Sequence, residues 1–217
     1  SEIIDYLGEN GNSYDEFKLN GSWAHDTRDR TIFPTSGGLS QITAEIALPG
    51  STAEFYKLDY RGIVYFPLSS WLTWSVGGEV GYGEGYGGTD GLPFFENFYA
   101  GGLRSVRAYK ANTLGPRYSN NDPSGGAFKT VANTQLILPV PFIEKAENVR
   151  LAAFFDIGNV FPTIDEFDAG ELRYSVGVSG LWVSPFGPLV LSVGVPLNEK
   201  SGDEAENFQF SFGIPFN

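Results

Sequence analysis

Residues 54–82 read EFYKLDYRGIVYFPLSSWLTWSVGGEVGY. Tyr56, Leu58, Tyr60, Val64 and Phe66 alternate with Lys57, Asp59 and Arg61. After the break at Pro67-Leu68-Ser69-Ser70 the same beat returns, with Leu72, Trp74, Val76, Val80 and Tyr82 set against Thr73, Ser75 and Glu79. Successive side chains of a strand point to opposite faces, so each run is a strand with one apolar and one charged face. The short Pro- and Ser-containing break between them makes the pair an antiparallel hairpin.

The pattern extends in both directions. Upstream, strands are expected at 15–26, with Phe17, Leu19 and Trp23 opposite Lys18, Asn20 and Ser22, and at 38–48, with Ile42, Ile46 and Leu48 opposite Gln41, Thr43 and Glu45. Downstream they are expected at 126–138, 148–157, 171–183, 188–196 and 206–216. The 126–138 run places Lys129, Asn133 and Gln135 on its polar face, and the 148–157 run does the same with Arg150 and Asp156. Residues 1–12 have room for one short helix ending at Gly8 or Gly11. The class is therefore all-β, with about nine antiparallel strands and no helix to cover a sheet.

A soluble sandwich alternates too. Two features favour a transmembrane barrel instead. Lys, Arg, Asp, Glu, Gln and Asn stand at strand centres, and the apolar face is rich in aromatics, as a wet lumen and a lipid-facing wall require. In water that aromatic face would be a large exposed apolar patch.

The totals narrow the function. A formal charge of -12 speaks against nucleic acid. There is no Cys and only one His, so no disulfide framework, Cys-based metal site or multi-His cluster is expected. No run of 18 apolar residues exists to form a membrane-spanning helix. The opening SEIIDYLGENGNSYDEF lacks the order of a signal peptide, which fits a mature chain or an excised fragment.

Between the fourth and fifth strands lies a long loop, 83–125. Its centre, residues 93–118, reads PFFENFYAGGLRSVRAYKANTLGPRY. Long irregular loops are usually functional or disordered, and this one is too aromatic to be disordered. The plain reading is a surface loop packed on itself. The sharper one is a loop that folds back into the barrel and anchors there through Arg107. With the chain end in the periplasm, this loop lies on the outer side, and the tight PLSS and SPFG turns lie on the periplasmic, inner side. The DTRDRTIFPTSG and PVPFIEKAEN connections also fall inside and are long for that side, while LPGSTA falls outside and is short.

Several motifs mislead. Residues 83–88, GEGYGG, spell a literal GxGxxG after a strand, but turn residues follow where a dinucleotide site needs a helix. Asp26, Arg28 and Asp29 beside His25 read as a solvated turn, and Asp203, Glu204 and Glu206 as a solvated acidic loop. No nucleophile–base set or catalytic carboxylate pair emerges, so no enzyme, cofactor or metal is expected.

Residues 94–116 (FFENFYAGGLRSVRAYKANTLGP), 154–161 (FFDIGNVF), SPFGPLV and 208–216 (FQFSFGIPF) together resemble the BamA family. These are the central subunits of the outer-membrane barrel assembly machinery of Gram-negative bacteria. The resemblance implies a fragment of a larger sixteen-stranded barrel, its C-terminal part, without the periplasmic POTRA domains. It implies that the long loop tucks into the lumen. There Arg107, in the Ser105-Val106-Arg107-Ala108-Tyr109 motif, would meet Asp156, with Gln135 at a second position that is acidic in the family. Ala108 stands where the family has Gly. The terminal strand, with Phe208, Phe210, Phe212, Gly213 and Phe216, resembles the signal that this machinery reads in its clients, and Gly213 and Pro215 would weaken its pairing.

The function implied is folding and insertion of other barrels by templating at a lateral gate. The partners would be unfolded outer-membrane barrel proteins, lipoprotein subunits of the machinery, and outer-membrane lipids and lipopolysaccharide. Alternatives are a two-partner-secretion transporter, a passive pore, and a soluble sandwich with carbohydrate-binding loops. Nine strands are odd, so the first and last cannot pair antiparallel; an imperfectly closed barrel, an open sheet and a dimer all remain.

Overall fold

The computed structural model describes residues 15–140 and 148–213. Nine strands form one sheet in sequence order, every neighbour antiparallel. They are β1 (Lys18–Asp26), β2 (Gly37–Ala47), β3 (Phe55–Pro67), β4 (Thr73–Gly85), β5 (Phe128–Pro139), β6 (Val149–Phe161), β7 (Arg173–Ser184), β8 (Gly187–Pro196) and β9 (Phe208–Phe212). Among the described residues no ladder joins β1 to β9, so the sheet is open.

The register puts the two faces where the alternation assigns them. On the polar face Glu45 faces Lys57, Arg61 faces Glu79, and Asn133 faces Asp156. Opposite charges directly across a ladder stabilise the pair. On the other face Val64 meets Val76, and Phe66 meets Trp74 with ring centroids 5.3 Å apart. Trp23, Leu58, Val178 and Phe210 remain exposed there. An apolar face this continuous needs lipid as its solvent. The sheet also curls: Arg150 on β6 places its guanidinium 4.6 Å from the ring centroid of Phe33, in the turn after β1.

The connections with unexpected lengths have local causes. In the β1–β2 turn, the Asp29 carboxylate accepts from the Thr35 amide and hydroxyl, both at 2.8 Å, and from the Ser36 amide at 3.2 Å. That carboxylate organises a turn that would otherwise be open coil. The short LPGSTA turn is covered: Ala47, Ala53 and Phe55 form a buried cluster against which Leu92 of the long loop packs. The β5–β6 connection lies largely outside the described residues, as do the expected helix at 1–12 and Phe216.

Several boundaries differ from the sequence reading: β1 begins at Lys18 rather than at 15, β6 runs on to Phe161 rather than stopping at 157, and others bear on the long loop and the last strand. β4 runs on to Gly85 and β5 begins at Phe128, so the long loop covers 86–127 rather than 83–125. The last strand starts at Phe208, not at 206, because residues 204–206 pair with the long loop instead of with β8.

Candidate functional site

The long loop crosses the concave, polar side of the sheet and brings its own core. It doubles back on itself through bridges Phe98–Gly126 and Ala100–Leu114. Its tip is a tight reversal in which the Gly102 amide donates to the Val106 and Tyr109 carbonyls at 3.1 and 2.9 Å. Gly101 and Gly102 hold φ of 103° and 89°, where a side chain would be strained. Ala100, Val106, Tyr109 and Leu114 then pack on Val131 of β5 and Val160 of β6 as one buried cluster. The inner wall thus carries an apolar patch, at Val131 and Val160, beneath the loop. Alternation alone marks every inward position as wet and misses this patch.

At the centre, Arg107 meets Asp156. The Arg107 Nε and Nη2 donate to the two carboxylate oxygens at 2.7 Å each, and the Arg107 backbone amide adds a third bond at 3.0 Å. Asn133 Nδ2 supplies the fourth, at 2.8 Å, and also reaches the Ser105 carbonyl. Each carboxylate oxygen therefore accepts twice, which fills the acceptor capacity of an ionised carboxylate. Both side chains are buried, Asp156 completely and Arg107 to 5% exposure. A buried ion pair offsets its desolvation only with such geometry and such satisfaction. Gln135 Oε1 accepts from Arg107 Nη1 at 3.1 Å, and the guanidinium lies 3.7 Å over the Phe154 ring. The aromatic face favours the cation where water has been removed.

Beyond Arg107, Ala108 takes φ of 67°, the left-handed region, despite its side chain. The chain can sink here because Gly177 and Gly194 leave the inner faces of β7 and β8 bare. A Cβ on Gly194 would lie 3.3 Å from that of Ala108, and Cβ atoms on Gly177 and Gly194 would lie 2.6 and 2.9 Å from Phe154. Tyr109 is fully buried, and its hydroxyl donates toward the Tyr174 carbonyl and Asn198 Oδ1, each at 3.4 Å. Burial pushes that hydroxyl up to about 12. Lys110 closes the segment with an ion pair to Glu204 at 2.6 Å, which holds the Glu204 carboxyl below its ordinary value.

The acidic run that reads as a solvated loop is therefore partnered throughout. Asp203 binds Arg173 at 2.5 Å, Glu204 binds Lys110, and Glu206 accepts from Gln209 at 3.1 Å. The charges near His25 are also paired, Arg28 with Asp26 at 2.7 Å. After the GxGxxG stretch the chain turns and forms only a single 3-10 turn at Phe94–Glu96. Among the described residues no cluster has the makeup of a metal site.

The terminal-strand residues lie apart from the anchor. Phe208, Phe210 and Phe212 point outward, each more than half exposed, and pair with only Val193 to Leu189 of β8. Gly213 follows with φ of 77°. Gln209, which the sequence reading passed over, faces inward and is buried. Its signal is its position: a polar amide between two Phe residues in the last apolar beat.

Comparison with known proteins agrees with this picture. A model described as the Omp85 superfamily domain matches residues 2–216. The chain belongs to the Omp85 superfamily. Among its Omp85 relatives, outer membrane protein assembly factor BamA of Neisseria meningitidis is 39% identical over 92% of this chain and 29% of its own length. A SAM50-like protein of Drosophila melanogaster is 26% identical over 91% of this chain and 45% of its own. The crystal structure of BamA from Haemophilus ducreyi lacking POTRA domains 1–3 matches with a TM-score of 0.86 at 28% identity, over 97% of this chain and 46% of that one. The resemblance read from the loop and the terminal strand thus extends across the chain. This Omp85 sheet spans less than half the length of each of these relatives.

Proposed function

We propose that this chain is the part of an outer-membrane barrel assembly factor that carries the anchored loop and the templating edge. The barrel belongs in the outer membrane of a Gram-negative bacterium. The observation that carries the reading is the contrast between the loop, locked on β6 by Arg107–Asp156, and β9, which pairs with β8 over Phe208–Phe212. An unpaired strand edge accepts an incoming strand by β-augmentation, and a short edge strand releases it at low cost. The work is done by hydrogen-bond exchange and lipid-facing packing, with no covalent step and no cofactor. The clients are unfolded outer-membrane barrel proteins. Lipoprotein subunits of the machinery and the surrounding lipids and lipopolysaccharide complete the set of partners. A passive pore is the poorer reading, because the buried loop occupies the polar side of the sheet.

The test is folding of an unrelated urea-denatured outer-membrane barrel into liposomes with and without this chain embedded. Acceleration that is lost on deleting residues 206–217 is expected. No acceleration by a chain that is itself folded and heat-modifiable on a gel would overturn the proposal for this segment.

A further inference from the structure

The loop is joined to the terminal strand as well as to β6. The Ala108 carbonyl accepts from the Glu206 amide at 2.9 Å, and the Glu204 carbonyl accepts from the Lys110 amide at 2.8 Å. Tyr109 and Ala205 form the antiparallel bridge between those two bonds. Two residues into β9, Gln209 continues the pattern with its side chain. Its Oε1 accepts from the Ala108 amide at 3.3 Å, and its Nε2 donates to the Tyr109 carbonyl at 2.7 Å. One primary amide thus gives the loop the donor and acceptor that a neighbouring strand would give. The site is dry, with Gln209 5% exposed. An amide bonded on both sides in such a place is expensive to separate, because each buried group left unmatched loses its full hydration.

The geometry has a second consequence. Arg107 sits on β6, and the next two residues sit on β9, so residues 107–109 reach across β7 and β8 over the bare inner faces of Gly177 and Gly194. The loop-side end of β9 is therefore tied to a strand three positions away. At the opposite end the ladder stops, among the described residues, at Phe212, and the next bond is the Gly213 amide to the Pro188 carbonyl at 2.9 Å.

We propose that Gln209 is a positioning residue through which the anchored loop holds the start of β9 in the wall. β9 then frays first from its Gly213 end, and its loop-side end is released only when Arg107 leaves Asp156. This rests on the reading of β9 as a templating edge and supplies its regulation: the state of the loop sets how far the edge can open.

The test is hydrogen exchange of the full chain in lipid nanodiscs, followed by mass spectrometry of peptides covering 105–111 and 207–213. Gln209→Ala is expected to speed exchange in 207–213 by about tenfold, the loss of protection that follows from removing buried bonds at one end of a strand. Arg107→Ala is expected to do the same, although Arg107 has no bond to β9. The double variant should exceed the larger single effect only slightly, because both break one tie. Asp156→Asn, which keeps the shape of the side chain, covers the case in which either alanine variant fails to fold, and it should also raise exchange in 207–213. Faster exchange at 105–111 with the parent's protection at 207–213, in Arg107→Ala or Asp156→Asn, would overturn the inference. The liposome assay separates the two claims: if deleting 206–217 still abolishes acceleration while the exchange result is negative, the templating edge stands and only its control by the loop falls.

Discussion

The long loop has hardly any ladder, yet Val106, Tyr109 and Leu114 lose all exposure there. β9 is a regular strand, yet Phe208, Phe210 and Phe212 keep 57%, 68% and 57% of theirs. In a barrel the wall turns half its side chains to lipid, and each strand is held by its neighbours' hydrogen bonds. A loop that enters the lumen turns all its side chains to protein. Irregular backbone is tolerated at membrane depth for that reason: its polar groups are met by the wall, as the Arg107 amide is by Asp156. Regularity and security are thus separate properties in this molecule, and the strand with the fewest ladder partners among the described residues depends on the loop that has almost no ladder.

The sharpest way to break the contrast is to remove the loop's anchor. Asp156→Ala leaves a buried guanidinium without its carboxylate and is expected to destabilise the fold by about 3–5 kcal/mol, measured by urea unfolding followed through tryptophan fluorescence. Gln135→Ala removes one hydrogen bond to the same guanidinium while Asp156 remains, and should cost ~1–2 kcal/mol in the same assay. If the Gln135 loss equalled the Asp156 loss, the ion pair would not be the dominant tie. Ala108→Gly works in the other direction. It relieves a left-handed alanine, worth roughly 1–2 kcal/mol, against a slightly smaller entropic cost of glycine in the unfolded chain, so a small gain in stability is expected. A loss would mean that the Ala108 methyl contact near Gly194 matters more than the backbone strain.

The smallest effect is the loop's outer tie. Glu204 is held below the ordinary carboxyl value by its hydrogen bond to Lys110, so its contribution is present above that ordinary value and lost as pH falls through the lower, folded one. Glu204→Gln should therefore lower the thermal midpoint slightly at pH 7, and the difference from the parent should vanish at strongly acidic pH. A difference that persisted there would assign the effect to packing rather than charge.

All nine strands were legible because the period of two is local and the polar face is strongly polar; Asp156 stands on that face as the alternation places it. Arg107 could be singled out from its motif. Asn133 was placed on the correct face, but its bond to Asp156 depends on the register of two strands and could not be read from either alone. The parts that were not legible are those fixed by where the loop lands. Phe154 beneath the guanidinium, the dry patch at Val131 and Val160, and the pairing of 204–206 in place of the start of β9 all depend on contacts between distant segments. Gln209 meets Tyr109 across 100 positions, and no periodicity reports such a contact. The acidic run at 203–206 looked solvated for the same reason: its cations come from β7 and from the loop.

The most direct measurement is a double-mutant cycle on Arg107 and Asp156, with Arg107→Ala, Asp156→Ala and the double variant unfolded in urea. The account predicts that the double variant is scarcely less stable than the worse single variant, a coupling of about 3 kcal/mol or more for a pair buried with every acceptor filled. Losses that simply add would show that the two side chains act independently, and the anchored loop would then be held by its apolar cluster and its ties to Gln209 and residues 204–206.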